Sequence, residues 1–452
     1  MGFGDLVKQT GRPSSDFAKH FMEVSMKKRF VLPALAIAGA AASLFVARAQ
    51  GGVTVTIACG SVGQELELCK EATGAWATKT GNKVTVFEGP QLTDDRLGFY
   101  QQQLAAESSD IDIYQIDVIH TGVLAANLID LKEFIGADLI KVQNAGNIAN
   151  NTSDGKLVAM PWFTDGGVLY FRTDLLKKYN VSVPKTWTQL AAAASKIQAG
   201  ERKTNNKFYG FAFQGKDYEG LTCDALEWIN SNGGGTIVDA KGNVTVNNKA
   251  AAATLDLIAS VAKKVSPPAV TTYAEEEARG VWQSGNIAFM RNWPYAYSLG
   301  QGADSVIKGK IGIAPLPNDG KNPSVGALGG WQLGVSKFSK NQKEAADLVA
   351  YLTSTAVQKE RAVKASYQPT VPTLYSDADV LKAVPFFKDI AGRNPVARPS
   401  SVTGTKYPAV STAFSAAVHS VLTGKAKGAA ALAKLETELN KIKGDGWSKK
   451  AK

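Results

Sequence analysis

Histidine and cysteine are nearly absent from this chain, with three of each in 452 residues. His20, His120 and His419 stand far apart, which argues against an imidazole-based metal site and against a histidine-dependent catalytic triad. Cys59, Cys69 and Cys223 cannot all pair, and no Cys-x-x-Cys spacing occurs, so neither a disulfide scaffold nor a zinc ribbon is indicated. A bridge from Cys59 to Cys69 would tie a first strand to the helix after it; free thiols are the other option, and the residues leave both open. Nucleotide and acyl-transfer motifs are missing too: there is no Gly-x-Gly-x-x-Gly, no Gly-Lys-Ser/Thr and no Gly-x-Ser-x-Gly. Net charge is +11, but the first 49 residues hold seven Lys or Arg against three Asp or Glu, and the body has no basic run. That distribution speaks against nucleic acid as a partner and suits docking to an acidic or membrane-bound one.

What is present is a soluble composition, 44% hydrophobic and 20% charged, in a chain long enough for two domains. The longest uncharged apolar run, Val31 to Val46, is short for a membrane span. It follows the basic segment Met26-Lys27-Lys28-Arg29-Phe30 and precedes the small-x-small triplet Ala47-Arg48-Ala49. This is the form of a secretory signal peptide over about residues 26–49, with a mature start near Gln50. Residues 1–25 read as an overlong start or a tolerated extension. The residues before Cys59 are Thr-Ile-Ala rather than a lipoprotein pattern, so the mature protein is expected free in a periplasm, not lipidated.

From Val53 the chain alternates strands and helices. Val53 to Ala58, Val84 to Phe87 and Ile111 to Ile116 suit strands, with helices from Gln64 to Thr80 and from Arg96 to Ala106 between them. Lys156 to Met160 reads as a further strand. The alternation predicts an α/β fold with mainly parallel sheets and helices on both faces. Three segments look like crossings between domains: Pro161 to Gly167 with its paired glycines, the strand Ile311 to Pro317, and residues 367–373 with Pro369 and Pro372. Thr186 and Gln189 have capping-box spacing, and the stretch from Ala409 is helical and expected to cover one lobe's surface. Trp76, Trp162, Trp187, Trp228 and Trp447 are assigned to packing or surface.

The most informative stretch is Trp282 to Tyr297. It reads as a helix end from Glu275, a left-handed turn at Gly285, a buried strand from Ile287 to Met290, then Trp293, Tyr295 and Tyr297 stiffened by Pro294. Open α/β sheets bind ligands beyond the carboxyl ends of their strands, where flat rings can stack on the C–H face of a sugar. With these elements placed, Gly285-x-x-Ala288-x-Met290-x-x-Trp293-Pro294 is similar to the signature of the bacterial extracellular solute-binding proteins that feed sugar importers, with Asn292 where Gly is usual. More closely, the runs Lys216 to Asp224, Arg291 to Ala296, Leu328 to Trp331, Asp112 to Val118 and Gly167 to Arg172 resemble the trehalose/maltose-binding branch.

That resemblance implies a two-lobe α/β periplasmic binding protein fold of type II with a ligand cleft between the lobes. Residues 53–163 and 316–370 are expected to form the N-terminal lobe, and 164–315 with 371–448 the C-terminal one. It also implies the sugar contacts: Glu65, Arg96, Asp117, Asp165, Trp293, Tyr295, Gly330, Trp331 and Arg398. Phe163 stands where relatives tend to carry Tyr, so one hydroxyl contact is missing. Ionised carboxylates accept hydroxyl hydrogen bonds and Arg donates to sugar oxygens, while rings cover the apolar face. The carboxylates are expected to keep low pKa values when sugar is bound. No catalytic residue, metal or cofactor is expected. The implied partners are a di- or oligosaccharide, an α-glucoside above all, and the membrane permease of an ABC importer, with the binding protein a monomer. A secreted glycoside hydrolase is the competing class, because acidic pairs and stacked rings also make a glycosidase cleft. A binding protein for an amino acid or compatible solute is the other alternative.

Overall fold

A computed structural model describes residues 52–390 and 395–447. The expected signal peptide, its cleavage site and the segment before it lie outside these residues. Five strands make a first sheet and four a second. The first is built from β1 (Thr54–Cys59), β2 (Lys83–Glu88), β3 (Ile113–Asp117), β4 (Met160–Gly166) and β9 (Leu328–Val335), in the order β2-β1-β3-β9-β4. The second is built from β5 (Val168–Arg172), β6 (Tyr209–Ala212), β7 (Ile287–Asn292) and β8 (Ile311–Ala314), in the order β8-β5-β7-β6.

The β1–β3 group follows from alternating β-branched residues with helices in the connections. Helix α1 (Glu65–Thr80) ends at Gly81 in the left-handed conformation, and α2 (Thr93–Ala105) returns the chain to β3. Both connections give parallel pairings. The expectation of mainly parallel sheets fails beyond this point. β9 runs antiparallel to both β3 and β4, and β5 runs antiparallel to β7 and β8, leaving β6 and β7 as the parallel pair of the second sheet. The reason is the route of the chain. β9 enters the first sheet from the second, at the end where β3 finishes, so it must run against β3.

The chain leaves the first sheet at Gly166–Gly167, where β4 hands over directly to β5. A Cβ on Gly167 would lie 2.0 Å from Glu227 Oε1 and 2.5 Å from Arg291 Nη2, so only glycine passes this buried ion pair. The chain returns between β8 and β9, and a third pass brings Gln368 into a bridge with Thr164. The strand expected from Lys156 to Met160 is two pieces: Lys156–Leu157 pairs with Thr152–Ser153, and β4 begins at Met160 and continues through Pro161. A register shift opposite, between Trp331 and Gln332, accommodates it.

Apolar spacing explains the cores. Val55, Ile57, Leu66, Trp76 and Trp162 are buried under the first sheet. Trp187, Phe211, Phe213, Trp228 and Phe289 form the centre of the second core, with Trp187 and Trp228 edge-to-face at 6.4 Å. The helix after Thr186, α3 (Trp187–Glu201), has the predicted capping box. Helix α4 (Glu219–Ser231) is buried along most of its length. Helices α7 (Tyr407–Leu422) and α8 (Gly428–Lys443) do more than cover a surface: Val410, Phe414, Val418 and Leu432 are wholly buried in the second core. Cys59 and Cys69 are joined in a disulfide between β1 and α1, and Cys223 is a free, buried thiol. No helix of the described residues is long and apolar enough to cross a membrane.

Candidate functional site

The cleft lies where β1, β3, β4 and β9 of the first sheet face the elements after β7 of the second. β3 ends at Asp117, which is in register with Trp331 of β9, and Trp331 is in register with Phe163 of β4. Gly330, just before Trp331, holds φ at 117°, and a Cβ there would lie 2.4 Å from the Phe163 carbonyl oxygen. The two glycines thus let β9 press against β4 and carry Trp331 to the cleft wall. On the other side, β7 ends at Asn292, whose Oδ1 accepts the Trp293 N–H at 2.8 Å, so the cleft receives Trp293 and then Tyr295.

Eight of the nine predicted residues line one cavity of about 50 Å³: Glu65, Asp117, Asp165, Trp293, Tyr295, Gly330, Trp331 and Arg398. Arg96 does not. It lies behind Trp331, its guanidinium 4.0 Å from the indole centroid and its Nε donating to the Pro90 carbonyl at 2.9 Å. Trp293 is backed in the same way by Arg291, at 3.9 Å. Arg291 is wholly buried, donating from Nε to Glu227 at 2.8 Å and from Nη1 to Gln214 at 3.0 Å. Each indole thus rests on a fixed cation, which holds the ring in place. Tyr295 donates to Glu276 at 2.6 Å and lies nearly parallel to Tyr367, 6.3 Å away. Phe163 lies beneath, edge-on to Tyr367 at 4.8 Å.

Arg398 bridges the cleft. Its Nη2 donates to Asp117 Oδ1 at 2.7 Å and its Nη1 to Glu219 Oε1 at 2.8 Å, while Nε is buried with no partner. Glu219 also accepts from Tyr407 and Ser411 and donates its backbone N–H to Asp94 at 2.9 Å. Sequence reasoning missed Glu219, Glu275 and Tyr367, all of which line the cavity. Glu219 sits inside the Lys216–Asp224 run that carried the family resemblance, and Tyr367 inside the third crossing. Those were the available signals. Glu275 opens helix α6 in this structure's order between α5 (Lys249–Val265) and β7, spanning Glu275–Gln283, and it had no sequence signal of its own.

Without sugar, four carboxyls of the cavity have raised pKa values. Burial raises Glu65 against the opposing charge of Arg96, and raises Asp165 well above the usual range, where the charge of Glu65 adds to it. Burial also raises Glu275, and lifts Glu219 to about 7 against Arg398. These shifts belong to the sugar-free cleft, and burial is the largest cause of each. A carboxyl raised on folding adds stability at low pH that is lost as pH climbs through its folded value. Glu219→Gln should therefore gain on wild type between pH 5 and pH 8, by on the order of 1–3 kcal/mol. Urea denaturation at both pH values reads this; a pH-independent difference would refute it.

A two-sheet α/β chain with three passes between its halves and a cleft of acids and rings at the strand ends defines a two-lobe binding protein. Residues 67–359 match the family described as bacterial extracellular solute-binding protein. The chain belongs to that family, and it is a binding protein rather than an enzyme, which removes the glycoside hydrolase alternative. It is 56% identical over 425 residues to a probable ABC transporter-binding protein of Deinococcus radiodurans, covering 93% of this chain and 100% of that one. It also superposes on maltose-bound MalE3 of T. maritima with a TM-score of 0.82 and 36% identity, over 86% of this chain and all of the other. A solute-binding protein from Agrobacterium vitis S4 with bound D-mannitol shares the fold at 22% identity and a TM-score of 0.76, over 88% and 100% of the two chains.

Proposed function

We propose that this protein captures a di- or oligosaccharide, an α-glucoside such as trehalose, maltose or sucrose, and delivers it to the permease of an ABC importer. The observation that carries the reading is the pair of indoles, Trp293 and Trp331, each seated on a guanidinium across a cavity walled by carboxylates. Rings offer a face to sugar C–H groups, and carboxylates accept the hydroxyls around the rim. Likeness to maltose-bound MalE3 supports the α-glucoside.

A cavity of about 50 Å³ holds a few waters, whereas small-molecule sites run to about 300 Å³ or more. The lobes, residues 53–163 with 316–370 and residues 164–315 with 371–448, must part to admit a sugar and then close on it. Binding shifts the population towards the closed form because sugar touches both walls only there. The protein works as a monomer in the periplasm, exported by the segment at about 26–49 and released without a lipid.

Tryptophan fluorescence tests the assignment, since two indoles line the cavity. Maltose, trehalose or sucrose should change the emission saturably, and each sugar should be recovered uncleaved. Emission unmoved by any α-glucoside would refute the reading.

A further inference from the structure

Arg361, in the helix Thr355–Ala365, is buried, and none of its three guanidinium nitrogens has a hydrogen-bond partner. Every other arginine among the described residues donates at least one hydrogen bond. A buried cation left this way is costly, and an apolar side chain of similar length would fill the same space at less cost. Three rings offset part of that cost: the guanidinium lies 3.9 Å from the centroid of Trp162, 4.9 Å from that of Tyr367 and 5.0 Å from that of Phe163. Packing alone gives no reason for a charge here.

The cleft does. Tyr367 lines the cavity, and its hydroxyl donates at 3.1 Å to the carbonyl of Val62, which lines it too. Arg361 stands outside that lining, on the far side of Phe163 and Tyr367. Burial pushes its guanidinium down to about 10, and Tyr367, Glu65 and Asp165 oppose that fall. Glu65 and Asp165 are cavity acids, and Asp165 Oδ1 is a buried acceptor with no hydrogen-bond partner. Burial raises Glu65, with Arg96, Gln115 and Arg361 acting against it and Glu275 adding to it. Burial raises Asp165 as well, with Glu65 and Asp117 adding to it while Arg291 and Arg361 oppose. Arg96 lies against Trp331 and donates to Pro90, and Arg291 is held by Glu227 and Gln214. Arg361 is the cation that acts on both acids and donates to neither side chain nor backbone.

We propose that Arg361 is a positioning residue of the cleft, whose charge, acting from behind the Phe163–Tyr367 wall, sustains Glu65 and Asp165 as acceptors for the hydroxyls of the ligand. This rests on the reading of the cleft as a sugar site and adds a residue that does not touch the sugar. Removing the charge lets both acids take protons at higher pH, and a protonated carboxyl is a poorer acceptor. Affinity should then fall most at low pH and recover as pH rises.

The test is calorimetry of wild type, Arg361→Met and Arg361→Gln with maltose, trehalose and sucrose at pH 6 and pH 9, beside the melting temperature of each sugar-free protein. Arg361→Met should weaken binding about tenfold at pH 6 and less at pH 9. Its melting temperature should be unchanged or higher, because methionine fills the space without a desolvated charge. Arg361→Gln, which also lacks the charge, should show the same pH-dependent loss of affinity. A loss of equal size at both pH values would make Arg361 a packing residue and overturn the proposal, as would failure of both variants to fold. Wild-type affinity in a folded variant would overturn it while the sugar reading stands. If the wild type binds none of the three sugars, that reading falls and the proposal falls with it.

Discussion

Arg398→Ala is expected to cost about 3–5 kcal/mol of folding stability, the usual result of removing one partner from a buried ion pair. Arg398, Asp117 and Glu219 are all buried, and the guanidinium donates to both acids at 2.7 and 2.8 Å. Truncation leaves two buried carboxylates without the cation that pairs them. The loss should be larger at pH 8 than at pH 5. Arg398 opposes the rise in the Glu219 pKa, so without it Glu219 takes a proton more readily and the stranded charge disappears in acid. Denaturant titration at both pH values reads the effect. A loss below about 1 kcal/mol at pH 8 would mean the bridge contributes no more than a surface pair.

The second large effect is on affinity. Trp293→Ala should weaken sugar binding at least about tenfold, or about 1.4 kcal/mol. Trp293 is half-buried, at the edge of the first core and backed by Arg291. Its removal should therefore change the melting temperature of the sugar-free protein little. Trp331 behaves differently. It is only 9% exposed, so Trp331→Ala should lower affinity and stability together. Unchanged affinity in Trp293→Ala would take that ring out of the site.

Much of this site was readable before any coordinates. Trp293 and Tyr295 follow a strand end, which is a local property of the sequence, while Glu65, Asp117 and Trp331 came from the family resemblance. Arg96 shows where that logic stops. Its helix was predictable, but not that the side chain would turn beneath Trp331 instead of into the cavity. Glu219 and Glu275 each begin a helix, and only the tertiary approach of those helix starts to β3 and β7 makes them cavity walls. The same limit explains the sheets. Alternating strands and helices imply parallel pairing within one lobe, yet β9 arrives from the other lobe and runs backwards. Spacing could not decide between a Cys59–Cys69 bridge and free thiols, because the 6.5 Å separation of their Cα atoms comes from how α1 lies on β1. The raised carboxyl pKa values were likewise out of reach, since they arise chiefly from how deeply folding buries the acids.

Above all, we propose that the two-lobe cleft captures an α-glucoside intact. Isothermal titration of the wild type with maltose, trehalose and sucrose tests it most directly. Saturable one-to-one binding of at least one of the three, with a negative heat-capacity change as the rings are covered, is the result predicted. No heat of binding from any of the three, at protein concentrations that would reveal millimolar affinity, would contradict it.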